Sequence, residues 1–197
     1  MAPPGGEIRV VSVVFIDVRG FTALAEQLPP DEVAHRLNRF YSLAATTIFK
    51  YDGTLDKLVG DQVMAFFGAP LYAPDHAKRA VQTAFAILEG VNTFTDRDQL
   101  HVGAGIATGV AFVGNVGGGA VADYTALGDT VNIAARLQAA AASGEILLTE
   151  ETYSYVEAEF PGAPRRDMEL KGKTEPVHAR LIAVDKPGPQ RSQVVRP

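Results

Sequence analysis

The chain has 197 residues, 47% of them hydrophobic, which is enough for one well-cored domain and short for two. Its 23 acidic residues outnumber 18 basic ones, and the net charge of -5 argues against a nucleic-acid partner, because counterion release needs clustered Lys and Arg. The absence of cysteine excludes disulfides and thiolate metal sites, and the 4 histidines (His35, His76, His101 and His178) lack the HExxH spacing of zinc hydrolases.

Residues 1–6, rich in Pro and Gly, read as a flexible tail, as do residues 186–197 (KPGPQRSQVVRP); the folded domain is expected over 7–185. No apolar stretch approaches the roughly 20 residues that span a bilayer, and MAPPGGEIRV is not a basic segment followed by an apolar one, so a cytoplasmic domain without a membrane segment is expected. Glu7–Val18, dominated by β-branched residues, predicts a buried strand. After Pro30, the residues Val33, Leu37, Phe40, Tyr41, Ala44, Ala45 and Ile48 recur at three- and four-residue steps and predict an amphipathic helix.

Asp52-Gly53 then turns the chain, and Thr54–Val59 and Gln62–Phe67 flank Gly60-Asp61 as the two arms of a hairpin. A second helix is expected over 74–94, with Ala77, Val81, Ala84, Leu88 and Val91 on one face and Pro74 in its first turn. Strands are expected at 101–108, 111–116 and 122–125, with Gly114 to Gly119 as a flexible hairpin connection, and a further helix at 130–142. Phe40, Tyr41, Phe66, Phe67 and Phe85 fall on core-facing periodicities, and the histidines are read as core in the same way.

This order implies an α+β fold of the ferredoxin-like, palm-type split βαβ kind: a largely antiparallel sheet with helices packed on one face. Such a layout sets the end of the first strand beside the central hairpin, so that Asp17, closing VVSVVFID, meets Asp61, in the turn of KLVGDQVMAFF. An acid at the end of a buried strand costs several kcal/mol of desolvation unless a cation or hydrogen bonds compensate it, so two of them point to a shared metal. GDTVNIAARL (128–137) adds Asn132 and Arg136 one helical turn apart, on one face. Carboxylates, an amide and a guanidinium together point to phosphoryl chemistry.

The blocks FIDVRGFT (15–22), DGTLDKLVGDQVMAFFG (52–68), GVAFVGNVG (109–117), DYTALGDTVNIAARL (123–137) and ELKGKTEPV (169–177) resemble, in order, the signatures of class III nucleotidyl cyclase catalytic domains. The resemblance implies that a nucleoside triphosphate is cyclised by attack of its ribose 3′-hydroxyl on the α-phosphate, with two Mg²⁺ or Mn²⁺ ions held by Asp17, Asp61 and the backbone carbonyl of Val18. It further implies that the amides of Phe21 and Thr22 and the side chain of Lys171 bind phosphates, with Lys173 a nearby substitute, that Asn132 orients the ribose, and that Arg136 stabilises charge on the α-phosphate. Thr22 serves equally as a helix N-cap, Arg19 reads as a surface ion pair, and Asp129 reads as an N-cap.

In the resembling family Lys57 stands at the adenine-selecting lysine, and Thr125 at a position that carries aspartate in many adenylate cyclases and cysteine in guanylate cyclases. Adenine offers an acceptor at N1 and a donor at N6, so a lysine and a hydroxyl complement ATP, although a hydroxyl that also donates discriminates less against GTP than a carboxylate does. The resemblance therefore implies an adenylate cyclase of the threonine-bearing subset, active as a homodimer with shared sites, and a regulatory domain outside this chain is compatible with it. The competing readings are an inactive nucleotide-binding homology domain, a guanylate cyclase and a diguanylate cyclase, the last opposed by the absence of a GGDEF-like turn.

Overall fold

The computed structural model describes residues 5–95, 98–118, 121–168 and 177–184, and β1 (Glu7–Val18) runs between two antiparallel neighbours near the middle of the sheet. Val14, Ile16 and Val18 enter the core on one face and Val11, Val13 and Phe15 that on the other, which is why β1 is a continuous apolar run and not an alternating one. After it come α1 (Phe21–Gln27), α2 (Pro30–Lys50), β2 (Thr54–Val59), β3 (Gln62–Phe67) and α3 (His76–Asn92). The chain continues through β4 (Val102–Gly118), β5 (Val121–Leu127), α4 (Asp129–Ala140), β6 (Glu145–Thr149), α5 (Glu150–Ser154), β7 (Arg165–Met168) and β8 (Val177–Ala183).

These strands make one eight-stranded sheet in the order β2-β3-β1-β4-β6-β8-β7, with β5 pairing β4 off that path. Among the described residues β4 and β6 are parallel and the other pairs antiparallel, so the α+β class and the largely antiparallel sheet are as expected. No helix among the described residues is long and apolar enough to cross a membrane.

The helices do not share one face. Phe40, Ala44 and Ile48 of α2, with Ala80, Ala84 and Leu88 of α3, pack on the Val14 side, whereas Ala134 of α4 packs on the Val13 side. The second layer depends on glycine: a Cβ at Gly105 of β4 would lie 2.1 Å from the backbone N of Gln138 and 2.4 Å from the carbonyl O of Ala134, so α4 rests directly on the strand backbone.

The expected strands at 101–108 and 111–116 are one strand, because Gly109 stays in register opposite Val11 and does not break the ladder. Gly114 to Gly118 are likewise paired with β5 and form no loop; a Cβ on Gly114 would stand 2.3 Å from the Cα of Gly6. α3 begins after Pro74, at His76, with Asp75 as its N-cap. Tyr41 and Phe85 are only partly buried, and His35, His101 and His178 are exposed, which leaves His76 as the core histidine.

His76 shares a 2.8 Å hydrogen bond with Ser12 Oγ, which contacts Thr108 Oγ1 at 2.7 Å, while Thr152 donates to Thr108. Burial pushes the imidazole pKa below its ordinary 6.5; neighbouring Asp75 opposes the shift and Arg9 adds to it. Below the unfolded value the unfolded chain takes up a proton that the folded chain refuses, so stability falls as pH drops from about 6.5 and levels off once folded His76 also titrates. One such proton contributes at most about 1.4 kcal/mol per pH unit. Urea unfolding between pH 7 and 5 should show this slope in the wild type and its loss in His76→Gln; parallel curves would remove His76 as the source.

Candidate active site

The turn between β2 and β3 folds back on the end of β1. Asp17 pairs in register with Gln62, and Val18 N–H donates to the carbonyl of Asp61 at 3.3 Å, so the two aspartates meet as the strand order predicted. Burial raises the Asp17 pKa above the usual carboxylate value, the Arg19 guanidinium opposes this, and the charge of Asp61 adds to it. The Tyr41 hydroxyl donates to the carbonyl of Gly60 and so fixes the turn beside Asp61, a role the helical periodicity of Tyr41 did not reveal.

Arg19 is not a surface residue with a loose partner. It is half-buried, donates to Asp17 Oδ1 at 2.8 Å, and donates to the carbonyls of Gln138 and Ala141 at 3.3 Å each. A cation at the last carbonyls of α4 suits the helix dipole and ties that helix to the aspartate pair. Gln62 Nε2 adds a second tie, to Gln138 Oε1 at 3.1 Å.

A second cluster lies along β2 and β5. Lys57 Nζ is 2.9 Å from Asp56 Oδ1 and 3.6 Å from Asp123 Oδ2, and Thr125 Oγ1 donates to Asp56 Oδ2 at 2.6 Å. The structure thus brings Lys57 and Thr125 together through Asp56, a residue the sequence reading passed over. Its side chain is fully buried, and its hydrogen bond to Lys57 is the main cause of a lysine pKa above the ordinary value. The β2–β3 register shifts between Leu55 and Lys57, and such a bulge re-aims side chains so that neighbours in sequence converge. The available signal was an aspartate inside TLDKLV, a residue type depleted in strands.

Gly20, in the left-handed region at φ 70°, is the N-cap of α1; Thr22 is not, and Phe21 and Thr22 occupy the first turn, where amides lack intrahelical partners. Gly128 is likewise the N-cap of α4, and Asp129 sits inside the first turn. Thr130, Ala134, Leu137 and Gln138 form the buried face of α4, while Asn132 is exposed and Arg136 half-exposed. Neither Asn132 nor Arg136 makes a side-chain hydrogen bond to another described residue. Lys171 and Lys173 lie outside the described residues.

The sequence model described as "Adenylate and Guanylate cyclase catalytic domain" matches residues 6–182. The chain belongs to this class III cyclase family. It is similar to the guanylyl cyclase Cya2 (TM-score 0.84, 29% identity, 93% of this chain and 97% of that one). It is also similar to the adenylyl cyclase CyaB from P. aeruginosa (TM-score 0.79, 33% identity, 91% and 97%). Among curated sequences it matches an uncharacterised protein of Mycobacterium tuberculosis (33% identity over 188 residues, 93% of this chain) and adenylate cyclase 1 of Rhizobium meliloti (35% over 134 residues, 65% of this chain). The matched segment spans only 34% and 20% of the length of those two proteins.

Class III cyclases generally use divalent metal ions, and the residues present in this cyclase domain fit them. Asp17 and Asp61 are hard oxygen donors brought to one edge of the sheet, and the Arg19 guanidinium links Asp17 to the end of α4. No group of three or more His, Cys, Asp or Glu side chains placed to hold a metal ion occurs among the described residues. A site of two carboxylates suits Mg²⁺ or Mn²⁺, which complete their shells with water and substrate phosphate, better than it suits Ca²⁺ in an all-protein cage.

Proposed function

We propose that this cyclase domain converts ATP to 3′,5′-cyclic AMP and pyrophosphate, at two sites shared between the protomers of a homodimer. The observation that carries the choice of ATP is the meeting of Lys57 and Thr125 on one buried carboxylate. An ammonium has only protons to offer and suits adenine N1, and the hydroxyl lies beside it for N6. The names of the Rhizobium relative and of CyaB support the same choice, while the name of Cya2 keeps guanylate cyclase as the reading to be tested against.

In the reaction the ribose 3′-hydroxyl releases its proton and its oxygen forms a bond to the α-phosphorus, while the bond from that phosphorus to the oxygen bridging to the β-phosphate breaks and pyrophosphate leaves. Asp17, Asp61 and the Val18 carbonyl would hold two divalent ions, which when bound acidify the 3′-hydroxyl and neutralise triphosphate charge. The first-turn amides of Phe21 and Thr22 face the phosphates, with Lys171 supplying a further cation. Asn132 orients the ribose. Arg136 donates to the α-phosphate oxygens as charge builds there, which by analogy with oxyanion donors is worth about 3–4 kcal/mol.

Sharing between protomers accords with the two faces of α4: its buried face and its Arg19 tie belong to its own chain, while Asn132 and Arg136 find no partner among that chain's described residues. Incubation with Mn²⁺ and either ATP or GTP tests the substrate. Cyclic AMP should form with a kcat/KM at least about tenfold above that for cyclic GMP. Dominant cyclic GMP would establish the guanylate reading, and nucleotide binding without a cyclic product would establish the inactive one.

A further inference from the structure

We infer that Asp56 is a positioning residue for base selection: by taking the single hydrogen of the Thr125 hydroxyl it makes that hydroxyl an acceptor, and so sets the site for a 6-aminopurine over a 6-oxopurine. The inference deepens the ATP reading above and rests on it.

A threonine hydroxyl has one hydrogen and two lone pairs, and a free one rotates to suit whatever faces it. In this fold the rotation is decided. Thr125 Oγ1 lies 2.6 Å from Asp56 Oδ2, whereas the competing acceptor, the carbonyl of Ala126, is 3.5 Å away, at the edge of hydrogen-bonding distance. Asp56 is itself held in place: Oδ1 accepts from Lys57 at 2.9 Å, and Oδ2 also accepts from the Ala126 N–H at 3.4 Å. A carboxylate has only acceptors, so the proton between Asp56 and Thr125 is threonine's.

With its hydrogen committed, Thr125 has only lone pairs left to present. In the pose where Lys57 meets N1 and Thr125 the exocyclic group, adenine returns an N6–H to the hydroxyl and a lone pair to the ammonium. Guanine returns O6 to the hydroxyl's lone pairs and N1–H to the ammonium, two mismatches. A free hydroxyl would relieve the first by donating to O6. Asp56 removes that relief, which gives the threonine site the acceptor character that an aspartate at position 125 would have had. Full burial of a carboxylate side chain is costly unless it is paired, and here the bulge at Leu55–Lys57 puts it under both base-facing side chains.

The test compares kcat/KM for ATP and GTP in the Mn²⁺ enzyme carrying Asp56→Asn, Thr125→Val, or both. A merely structural aspartate would lower both nucleotides together. As a positioning residue, its replacement should lower the ATP:GTP ratio about tenfold, because an amide can donate to Thr125 and free its hydrogen for O6. In the Thr125→Val background Asp56→Asn should move the ratio less than about twofold, since the group it acts through is gone. An unchanged ratio in Asp56→Asn, or an equal change in both backgrounds, overturns the inference.

Purine riboside 5′-triphosphate, which lacks the 6-amino donor, poses the question to the unaltered protein even where Asp56→Asn fails to fold. Its kcat/KM should fall at least about fivefold below that of ATP, and equal use overturns the inference. A wild-type protein that forms no cyclic AMP overturns the ATP reading and this one with it. An ATP-selective wild type whose ratio ignores Asp56 overturns this one alone.

Discussion

Asp61→Ala is expected to abolish cyclic nucleotide formation while leaving the fold intact, and Asp17→Ala to do the same. Metal-held charge contributes several kcal/mol to a phosphoryl transition state, so the expected loss is roughly a thousandfold or more. The fold should survive because Asp61 occupies a turn whose ties are backbone ones: Val18 N–H to its carbonyl, and the Tyr41 hydroxyl to the carbonyl of Gly60, both of which alanine preserves. In metal-free buffer the variant should melt at or slightly above the wild-type temperature, because Asp61 is one cause of the raised pKa of Asp17 and its removal relieves that repulsion. Added Mn²⁺ should raise the wild-type Tm, by the equivalent of about 2.7 kcal/mol at a hundred times the dissociation constant, and leave the variant unmoved. Near-wild-type turnover together with a retained Mn²⁺ shift would dismiss the aspartate pair as the metal site.

Mixing two dead proteins is expected to restore activity. Asp17→Ala carries a sound Arg136 and Arg136→Ala a sound Asp17, so a mixed dimer gathers both defects into one site and leaves the other whole. With equal amounts and random exchange, half the dimers are mixed and each has one working site, which predicts about a quarter of wild-type activity. The control is a mixture of Asp17→Ala with Asp61→Ala, which share the defective half-site and should stay inactive. Zero recovery under conditions shown to exchange subunits would require Asn132 and Arg136 to serve the aspartates of their own chain.

The parts of this structure that were legible in sequence are those governed by neighbours along the chain. β1, β2 and β3 have the expected bounds because a β-branched run and a Gly-Asp turn are local signals, and α2 and α3 bury the faces that their periodicity marked. The meeting of Asp17 with Asp61 follows from the strand order, which sets the end of β1 beside the β2–β3 turn. What stayed hidden depends on contacts across the fold.

That α4 lies on the opposite face from α2 and α3 is not legible in sequence, because nothing local in GAGI announces that a helix will lie on Gly105. Arg19 looked like a solvent-facing cation because its partners, the carbonyls of Gln138 and Ala141, are more than a hundred residues away. The role of Asp56 is not legible in sequence because strand alternation assigns adjacent residues to opposite faces, and the bulge reverses that. β6, α5, β7 and β8 are not legible in sequence: their segments are short, and their pairing is set by partners such as β4 instead of by their own pattern.

The seat of α4 on Gly105 has a mechanical consequence. A helix whose backbone already touches the strand beneath it has no clearance in which to tilt or slide, and its far end is clamped by Arg19 and Gln62. Close-packed protein is nearly incompressible, so Asn132 and Arg136 travel with the sheet as features of one solid. If two copies share their sites as proposed, the angle between the two sheet-and-helix blocks is a quantity that can be adjusted without moving Asn132 and Arg136 within either. A force applied to either block would then act as a torque on the pair, opening or closing both sites together.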